Sequence, residues 1–205
     1  MSKSTTWKGL SHWAHSIFKE TLILAYSKWF SCSIIIILTI SPTGCNGFLD
    51  DIRAFRTYKM SSQSMMPTLI RGDCIIVDHK YYRDRLPKRG DIIVFEYPKD
   101  SSKDMMKRVI AVEGDMIRGQ NKNIDLNDRL IEEPYVQHTA NEIIEKLDNF
   151  GPITVPADTL FVMGDNRDQS IDSRMFGVVR LEKVKGKALY IYWSRQLSRI
   201  GIRLQ

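Results

Sequence analysis

Five short runs of β-branched and aromatic residues constrain the fold of this 205-residue chain more than any other feature. They are CIIVD (74–78), DIIVFEY (91–97), KRVIAV (107–112), TLFVMG (159–164) and LYIYW (189–193). Gly-Asp pairs precede several of them, and this pairing suits turns because glycine adopts positive φ and aspartate bonds its local backbone. Short strands separated by turn signals predict a mainly β domain, an antiparallel sandwich or a barrel-like sheet. One stretch differs: residues 138–150 place Ile143, Ile144 and Leu147 at helical spacing and predict a helix.

Near the N-terminus the chain turns apolar over WFSCSIIIILTI (29–40). This run has twelve residues, whereas a membrane-spanning helix needs about 20. Extension upstream would carry Lys28 into the bilayer, at a cost of about 2.5–3.5 kcal/mol at its centre. Extension downstream to Phe48 leaves Lys28 and Trp29 as interfacial anchors. The sequence therefore predicts one transmembrane helix over 29–48, followed by a domain over 49–205.

Residues 1–28 carry four lysines against one acidic residue, Glu20. Such a segment either lies on a membrane surface or forms a disordered tail. A cleavable signal peptide would also place charges before a short apolar core, but 28 residues is a long leader for one. The lysines weakly favour a cytoplasmic N-terminal segment over 1–28.

The net charge of +6 indicates an anionic neighbour, either nucleic acid or lipid. We find no basic run with interleaved aromatic residues that marks a nucleic-acid surface, so membrane lipid is the predicted partner. The three cysteines, Cys32, Cys45 and Cys74, lack zinc-site spacing, and we predict no metal. Cys45 and Cys74 could pair if the domain lies outside the cytoplasm.

The segment KMSSQSMMPTL (59–69) holds two serines, Ser62 and Ser64. In an extended backbone this spacing puts both side chains on one face. One hydroxyl could then attack a carbonyl while the other donates a hydrogen bond to the oxyanion. A polar turn before the first predicted strand would give the same pattern, because serine is common in turns.

A serine nucleophile needs a base, and neither His79 nor His138 has a recognisable triad context. In a strand, Lys107 shares a face with Met105, Val109 and Ala111, and Arg108 falls on the other face. An apolar row of this kind would desolvate the amine and favour its neutral form. The alternative is a solvated strand start marked by the two basic residues.

The acid-rich segment GDNRDQSIDSR (164–174) resembles a calcium loop only superficially. Counted from Asp168, an EF-hand loop would need glycine at 173 and glutamate at 179, where serine and valine stand. No calcium site follows.

Four segments in order resemble the conserved boxes of type I signal peptidases. They are SSQSMMPTL with the following GDCIIV, RGDIIVFEYP (89–98), KRVIAVEGD (107–115) and GDNRDQSIDSR (164–174). The similarity extends over about residues 50–193. Ser61 and Gln63 depart from the pattern, since the family usually has proline and glycine there.

The resemblance implies a membrane-anchored serine endopeptidase that removes signal peptides from secreted preproteins without a cofactor. It assigns Ser64 as nucleophile, Lys107 as general base and Ser62 as oxyanion donor. It assigns Ser170 a hydrogen bond to the Lys107 amine, and it pairs Asp172 with Arg174 beneath the site. It also places the domain over 49–205 on the extracytoplasmic side of the cytoplasmic membrane.

Two other functions remain open from the residues. Self-cleaving repressors of the DNA-damage response also use serine and lysine, but they carry a DNA-binding domain in place of a membrane anchor. A non-catalytic β domain of the cell envelope is the other alternative, and such a relative would be expected to lose Ser64 or Lys107.

Overall fold

A computed structural model describes residues 54–204 of the chain. The predicted N-terminal segment (1–28), the predicted transmembrane helix (29–48) and Cys45 lie outside the described residues. Over 54–204, the helices are too short or too polar to span a bilayer.

Eleven strands and two one-turn α-helices form the described part of the chain. The strands are β1 (Phe55–Lys59), β2 (Cys74–Asp78), β3 (Ile92–Tyr97), β4 (Asp100–Val112), β5 (Met116–Gln120), β6 (Asn123–Leu126), β7 (Arg129–Leu130), β8 (Phe150–Thr154), β9 (Thr159–Met163), β10 (Val179–Arg180) and β11 (Val184–Trp193). The helices are α1 (Glu145–Asp148) and α2 (Ser173–Phe176), and short 3-10 turns cover Arg167–Gln169, Leu181–Lys183 and Leu197–Arg199.

The strands form two antiparallel sheets, so the predicted mainly β, antiparallel class is confirmed. The larger sheet has seven strands in the order β1-β2-β11-β3-β4-β9-β10, and the smaller has four in the order β7-β6-β5-β8. The five predicted runs are β2, β3, β4, β9 and β11, all in the larger sheet. Strand β4 begins seven residues before the predicted start at 107, because its polar first half pairs with β3.

The helix predicted over 138–150 is wrong for most of its length. Only Glu145–Asp148 is helical, and β8 begins at Phe150. The Asp168 carboxylate accepts the backbone N–H groups of Thr139 and Ala140 at 2.6 and 2.7 Å. These bonds fix an irregular connection where helical hydrogen bonds would otherwise form.

Strand β4 lies at the centre of the apolar core. Buried side chains form three clusters, and β4 contributes Met106 to the first, Ile110 to the second and Val109 to the third. The C-terminal tail closes the first cluster, because Leu204 is buried there and its N–H donates to Leu189 O at 2.8 Å. A lysine near the middle of β4 is therefore surrounded by packed core.

Candidate active site

The segment with the two serines forms a compact turn after β1 instead of an extended strand. Met66 N donates to Gln63 O at 3.1 Å, and Leu69 N donates to Met65 O at 2.8 Å. Met65 and Leu69 are fully buried in the first core cluster and hold the turn in place. The turn still brings the hydroxyls together: Ser62 Oγ lies 3.1 Å from Ser64 Oγ.

Lys107 lies on β4 opposite Ile93 and reaches the serine turn. Its Nζ donates to Ser64 Oγ at 2.6 Å, with Lys107 2% and Ser64 5% exposed. The alternative of a solvated strand start is wrong, since Arg108 is buried as well at 3% exposure. Both faces of β4 are covered from Met106 to Ala111, so alternation does not separate a buried from a solvated face here.

Burial is the main influence on the Lys107 amine. It lowers the pKa of Lys107 from the usual 10.5 to about 8, because desolvation disfavours the charged form. The carboxylates of Asp172 and Asp165 oppose this shift and the Arg174 guanidinium assists it. At pH 7 about a tenth of the amine is therefore unprotonated, far more than for an ordinary solvated lysine, and this neutral form is the one that a general base requires.

A buried ion pair lies behind β4, between Arg108 and Asp165. Arg108 Nε and Nη2 donate to Asp165 Oδ1 and Oδ2 at 2.9 and 2.8 Å, which is a bidentate arrangement. Thr68 Oγ1 donates to Asp165 Oδ2 at 2.5 Å, and the Arg108 guanidinium lies 3.9 Å from the centre of the Tyr135 ring. The Asp165 charge is thus shared with a cation, which limits how far it stabilises protonated Lys107.

Asp172 and Arg174 form a second buried pair in the turn that follows β9. Arg174 Nε and Nη2 each lie 2.9 Å from an Asp172 carboxylate oxygen, and both side chains are at most 1% exposed. Asp172 caps α2 by accepting from Arg174 N at 3.2 Å, and it also accepts from Gly164 N at 3.0 Å. The pair therefore joins the start of α2 to the end of β9.

Ser170 lies in this turn but does not hydrogen bond to Lys107. Its Oγ is buried without a hydrogen-bond partner among the described residues. A Cβ built on Gly164 would collide with both Ser170 Oγ and Ser64 O, so these groups converge on the backbone of Gly164. Ser170 thus places a hydroxyl without a hydrogen-bond partner among the described residues next to the serine turn.

Three residues near the site were not predicted to contact the serine turn, namely Gly164, Asp165 and Asn166. Asn166 N donates to Ser64 O at 3.1 Å, and its Nδ2 donates to Gln63 O at 3.2 Å. These bonds tie the serine turn to the segment after β9. The residues stand at the start of GDNRDQSIDSR, but nothing in their types alone indicates contact with a turn about 100 positions earlier.

His79 and His138, the two histidines of residues 54–204, contact residues other than Ser64. His79 Nε2 lies 3.2 Å from the Tyr58 hydroxyl, and burial lowers the pKa of His79. His138 Nδ1 lies 3.3 Å from Asp168 Oδ1. His138, Asp148 and Asp168 are close enough to share a cation, but Lys122 Nζ already lies 3.6 Å from Asp168 and 3.9 Å from Asp148. The lysine supplies the positive charge that a metal would bring.

An open cleft of about 210 Å³ adjoins the serine turn. Ser62 and Lys107 line one part of it, and Met60, Val94, Met105 and Met106 supply apolar walls. Asp104, which is bonded to Lys185 at 2.7 Å, lies on its rim. The cleft can take small apolar side chains of a peptide laid beside the two hydroxyls.

Comparison with known proteins gives the class to which this site belongs. Residues 27–193 match the family model described as signal peptidase, peptidase S26. The chain is 37% identical over 147 residues to the probable signal peptidase I-2 of Synechocystis sp., which covers 69% of this chain and 63% of that protein. It is 31% identical over 180 residues to signal peptidase I P of Bacillus subtilis subsp. natto, which covers 85% and 91%. A crystal structure of a signal peptidase I from Enterococcus faecalis is 30% identical, with a TM-score of 0.44, over 50% of this chain and 97% of that one.

These relationships make the chain a serine endopeptidase. It belongs to the signal peptidase family, peptidase S26, whose model matches most of its length.

Proposed function

We propose that this chain removes signal peptides from secreted preproteins, with Ser64 as nucleophile and Lys107 as general base. The observation that carries the proposal is the 2.6 Å contact between Lys107 Nζ and Ser64 Oγ, with both residues buried. Among residues 54–204, neither histidine hydrogen bonds to Ser64, so lysine is the base within reach.

The reaction starts with neutral Lys107. Its amine takes the proton of Ser64 while Oγ forms a bond to the scissile carbonyl carbon. The oxyanion is stabilised by the Ser64 backbone N–H and by the Ser62 hydroxyl. Protonated Lys107 then gives its proton to the leaving amine as the C–N bond breaks, which leaves an acyl ester on Ser64. A water deprotonated by Lys107 hydrolyses that ester and restores the serine.

Ser170, Asp172 and Arg174 support the base in this scheme. The Ser170 hydroxyl has a free buried oxygen and can accept a hydrogen bond from the Lys107 amine once Ser64 is acylated. A hydroxyl orients the amine without adding charge, whereas a carboxylate at this place would raise the lysine pKa. Asp172 and Arg174 fix the turn that carries Ser170.

The proposed setting is the cytoplasmic membrane. The segment over 29–48 is a single transmembrane anchor, 1–28 is cytoplasmic and 49–205 forms the extracytoplasmic catalytic domain. Preproteins bind beside the serine turn as an added extended strand, with small side chains in the cleft next to Ser62 and Lys107. A membrane anchor argues against a self-cleaving repressor, which carries a DNA-binding domain instead. The presence of both Ser64 and Lys107 argues against a non-catalytic envelope domain.

Substitution of the nucleophile tests this function directly. Ser64→Ala should abolish cleavage of a model preprotein by the purified chain, and the chain should still unfold in one cooperative thermal transition. Ser101→Ala, an exposed serine early in β4, is the matched control and should leave cleavage unchanged. N-terminal sequencing of the product identifies the bond that is cut, and cutting of that bond by Ser64→Ala would contradict the assignment.

A further inference from the structure

A second cleft, lined by both basic and apolar side chains, lies beside the loop that joins β2 to β3, outside the candidate active site. Its volume is about 180 Å³, and Arg83, Arg85 and Lys185 line it together with Leu86 and Pro87. We propose that this loop docks on the membrane by binding phosphate headgroups of anionic phospholipids, with Leu86 inserted into the interfacial layer. The proposal rests on the membrane anchor of the proposed function and names a lipid-binding surface for it.

The charge of the loop fits an anionic surface. Residues 80–89 hold five basic residues against one acidic residue, Asp84. Arg89 forms an ion pair with Asp115, whereas Arg83, Arg85 and Lys88 are exposed. Over residues 54–204, Arg83 and Lys88 form no salt bridge, so their charges remain available to an external phosphate.

The loop is held in one shape by buried contacts at its base. The Tyr82 hydroxyl donates to Asp91 Oδ2 at 2.9 Å, and Lys88 N donates to the same oxygen at 3.0 Å. Pro87 is buried, and the neighbouring Leu86 is 69% exposed. An apolar tip between cations is typical of segments that lie in a membrane interface.

The loop also lies near the point where the chain leaves the predicted anchor. His79 N donates to Ala54 O at 2.8 Å, so the start of the loop adjoins the first described residue. The predicted helix ends at Phe48, and six residues of fully extended chain reach about 20 Å at most. Few residues of sequence therefore separate the start of the loop from the predicted anchor.

The expectation that the sequence has no basic run with interleaved aromatic residues is wrong for residues 80–89, which combine five basic residues with Tyr81 and Tyr82. The ring of Tyr81 is covered by Arg85 and Lys187, at 4.7 and 4.8 Å from its centre, and contacts the edge of Tyr82. The Tyr82 hydroxyl is bonded to Asp91. Both rings are therefore already engaged by groups of the domain, which disfavours their use for base stacking, and the exposed cations favour a lipid phosphate.

A spin label at the loop tip tests the proposal in the full chain. Cys32, Cys45 and Cys74 are replaced by serine, Leu86→Cys carries the label, and the protein is placed in nanodiscs of phosphatidylcholine alone or mixed with phosphatidylglycerol. The label should become accessible to oxygen and protected from an aqueous nickel chelate only in the mixed discs. A label at Leu130→Cys, an equally exposed leucine in β7, should stay aqueous in both.

Removal of the basic side chains of the loop distinguishes lipid binding by the loop from a general attraction between the basic domain and an anionic membrane. Each basic residue near an anionic leaflet strengthens binding about five-fold, so Arg83→Gln/Arg85→Gln/Lys88→Gln should lower the ratio of docked to undocked loop about 100-fold. The control Arg129→Gln/Lys146→Gln removes exposed charges elsewhere and should leave the ratio unchanged.

Three results for the label would overturn the proposal: a label at position 86 that stays aqueous in the mixed discs, one that is equally immersed in both lipids, or one that is protected only when an acidic membrane protein is added. A chain that does not enter nanodiscs also overturns it. Cleavage of a soluble peptide is measured on the same samples and should be equal in the triple variant and its control. Loss of docking with intact cleavage thus leaves the proposed peptidase activity standing.

Discussion

Ser62 and Ser64 differ in burial and in hydrogen bonding, although their hydroxyl oxygens lie 3.1 Å apart. Ser64 is buried and bonded to the amine of Lys107, whereas Ser62 is exposed and lines the cleft. The Ser62 hydroxyl can turn toward a developing oxyanion, since its hydrogen-bond partner among the described residues is Ser64 Oγ, the atom that the oxyanion forms beside. This difference in surroundings assigns the two serines their roles in the proposed mechanism.

Ser62→Ala is therefore expected to slow catalysis without removing it. Loss of one oxyanion donor typically lowers kcat about 10²–10³-fold, and KM should change little because the interaction forms in the transition state. Steady-state kinetics on a peptide substrate measure both quantities. A kcat within a few-fold of the unmodified chain would mean that the Ser62 hydroxyl does not face the oxyanion.

The roles of the two serines show how far sequence reasoning reaches at this scale. The spacing of Ser62 and Ser64 predicts that their side chains lie together, and the structure shows that they do. The predicted extended backbone is wrong, because the segment forms a turn. Lys107 was singled out for its apolar neighbours on alternate positions, whereas the actual cause of its burial is packing on both faces of β4. Asn166 could not be predicted at all, because its two bonds to the serine turn depend on the tertiary fold.

At the scale of elements, α2 and the turn before it are stabilised by a buried ion pair. Asp172 accepts hydrogen bonds from Gly164 N, from Arg174 N and from the Arg174 side chain. Arg174 also donates to the carbonyl of Leu147 at 3.2 Å, which joins this turn to α1. Loss of the carboxylate would leave the buried Arg174 guanidinium without its counterion and the Gly164 N–H without its hydrogen-bond acceptor.

Asp172→Ala should accordingly destabilise the domain and impair activity together. Removal of one partner from a buried pair costs about 3–5 kcal/mol of unfolding free energy. The matched control is Asp125→Ala, which breaks a partly exposed pair with Arg118 at 3.0 Å and should cost at most about 1 kcal/mol. Chemical denaturation followed by circular dichroism compares the two variants. Equal stability of both variants would contradict the structural role of Asp172.

The smaller sheet is the element that the sequence analysis missed. Its strands are short, and β5 alternates between buried and exposed positions without an apolar alternation in its sequence, because one of its two buried residues is Gly119. Its turns nevertheless carry a signal: Asn127 and Asp128 both adopt positive φ, at 53° and 60°. Two such residues between strands favour a two-residue hairpin, so this pair could have indicated β6 and β7.

At the scale of the molecule, the described residues contain a substantial apolar core of their own. The three buried clusters draw on both sheets, and the C-terminal tail packs back on β11 through Leu204. Arg199 further ties the tail to the loop after the serine turn, with Nη2 at 2.7 Å from both Asp73 Oδ2 and Thr68 O. These contacts favour the hypothesis that the described residues fold without the predicted anchor.

Deletion of residues 1–48 should then yield a folded, soluble peptidase. We expect a cooperative thermal transition by circular dichroism and a kcat/KM on a short soluble peptide within about ten-fold of the full chain. Cleavage of membrane-inserted preproteins should fall much further, because the anchor raises the effective concentration of enzyme at the membrane. A non-cooperative transition in the truncated protein would show that the anchor segment is part of the fold.

The central claim is that Lys107 acts as a neutral base, and the pH dependence of kcat/KM on a soluble peptide tests it most directly. Burial lowers the pKa of Lys107 to about 8, and only the unprotonated amine accepts the serine proton. The rate should therefore rise as pH increases and level off above about pH 8. Lys107→Arg should be inactive at every pH in this range, because its guanidinium stays protonated. A rate that begins to rise only near pH 10, where an ordinary solvated lysine titrates, would contradict the account.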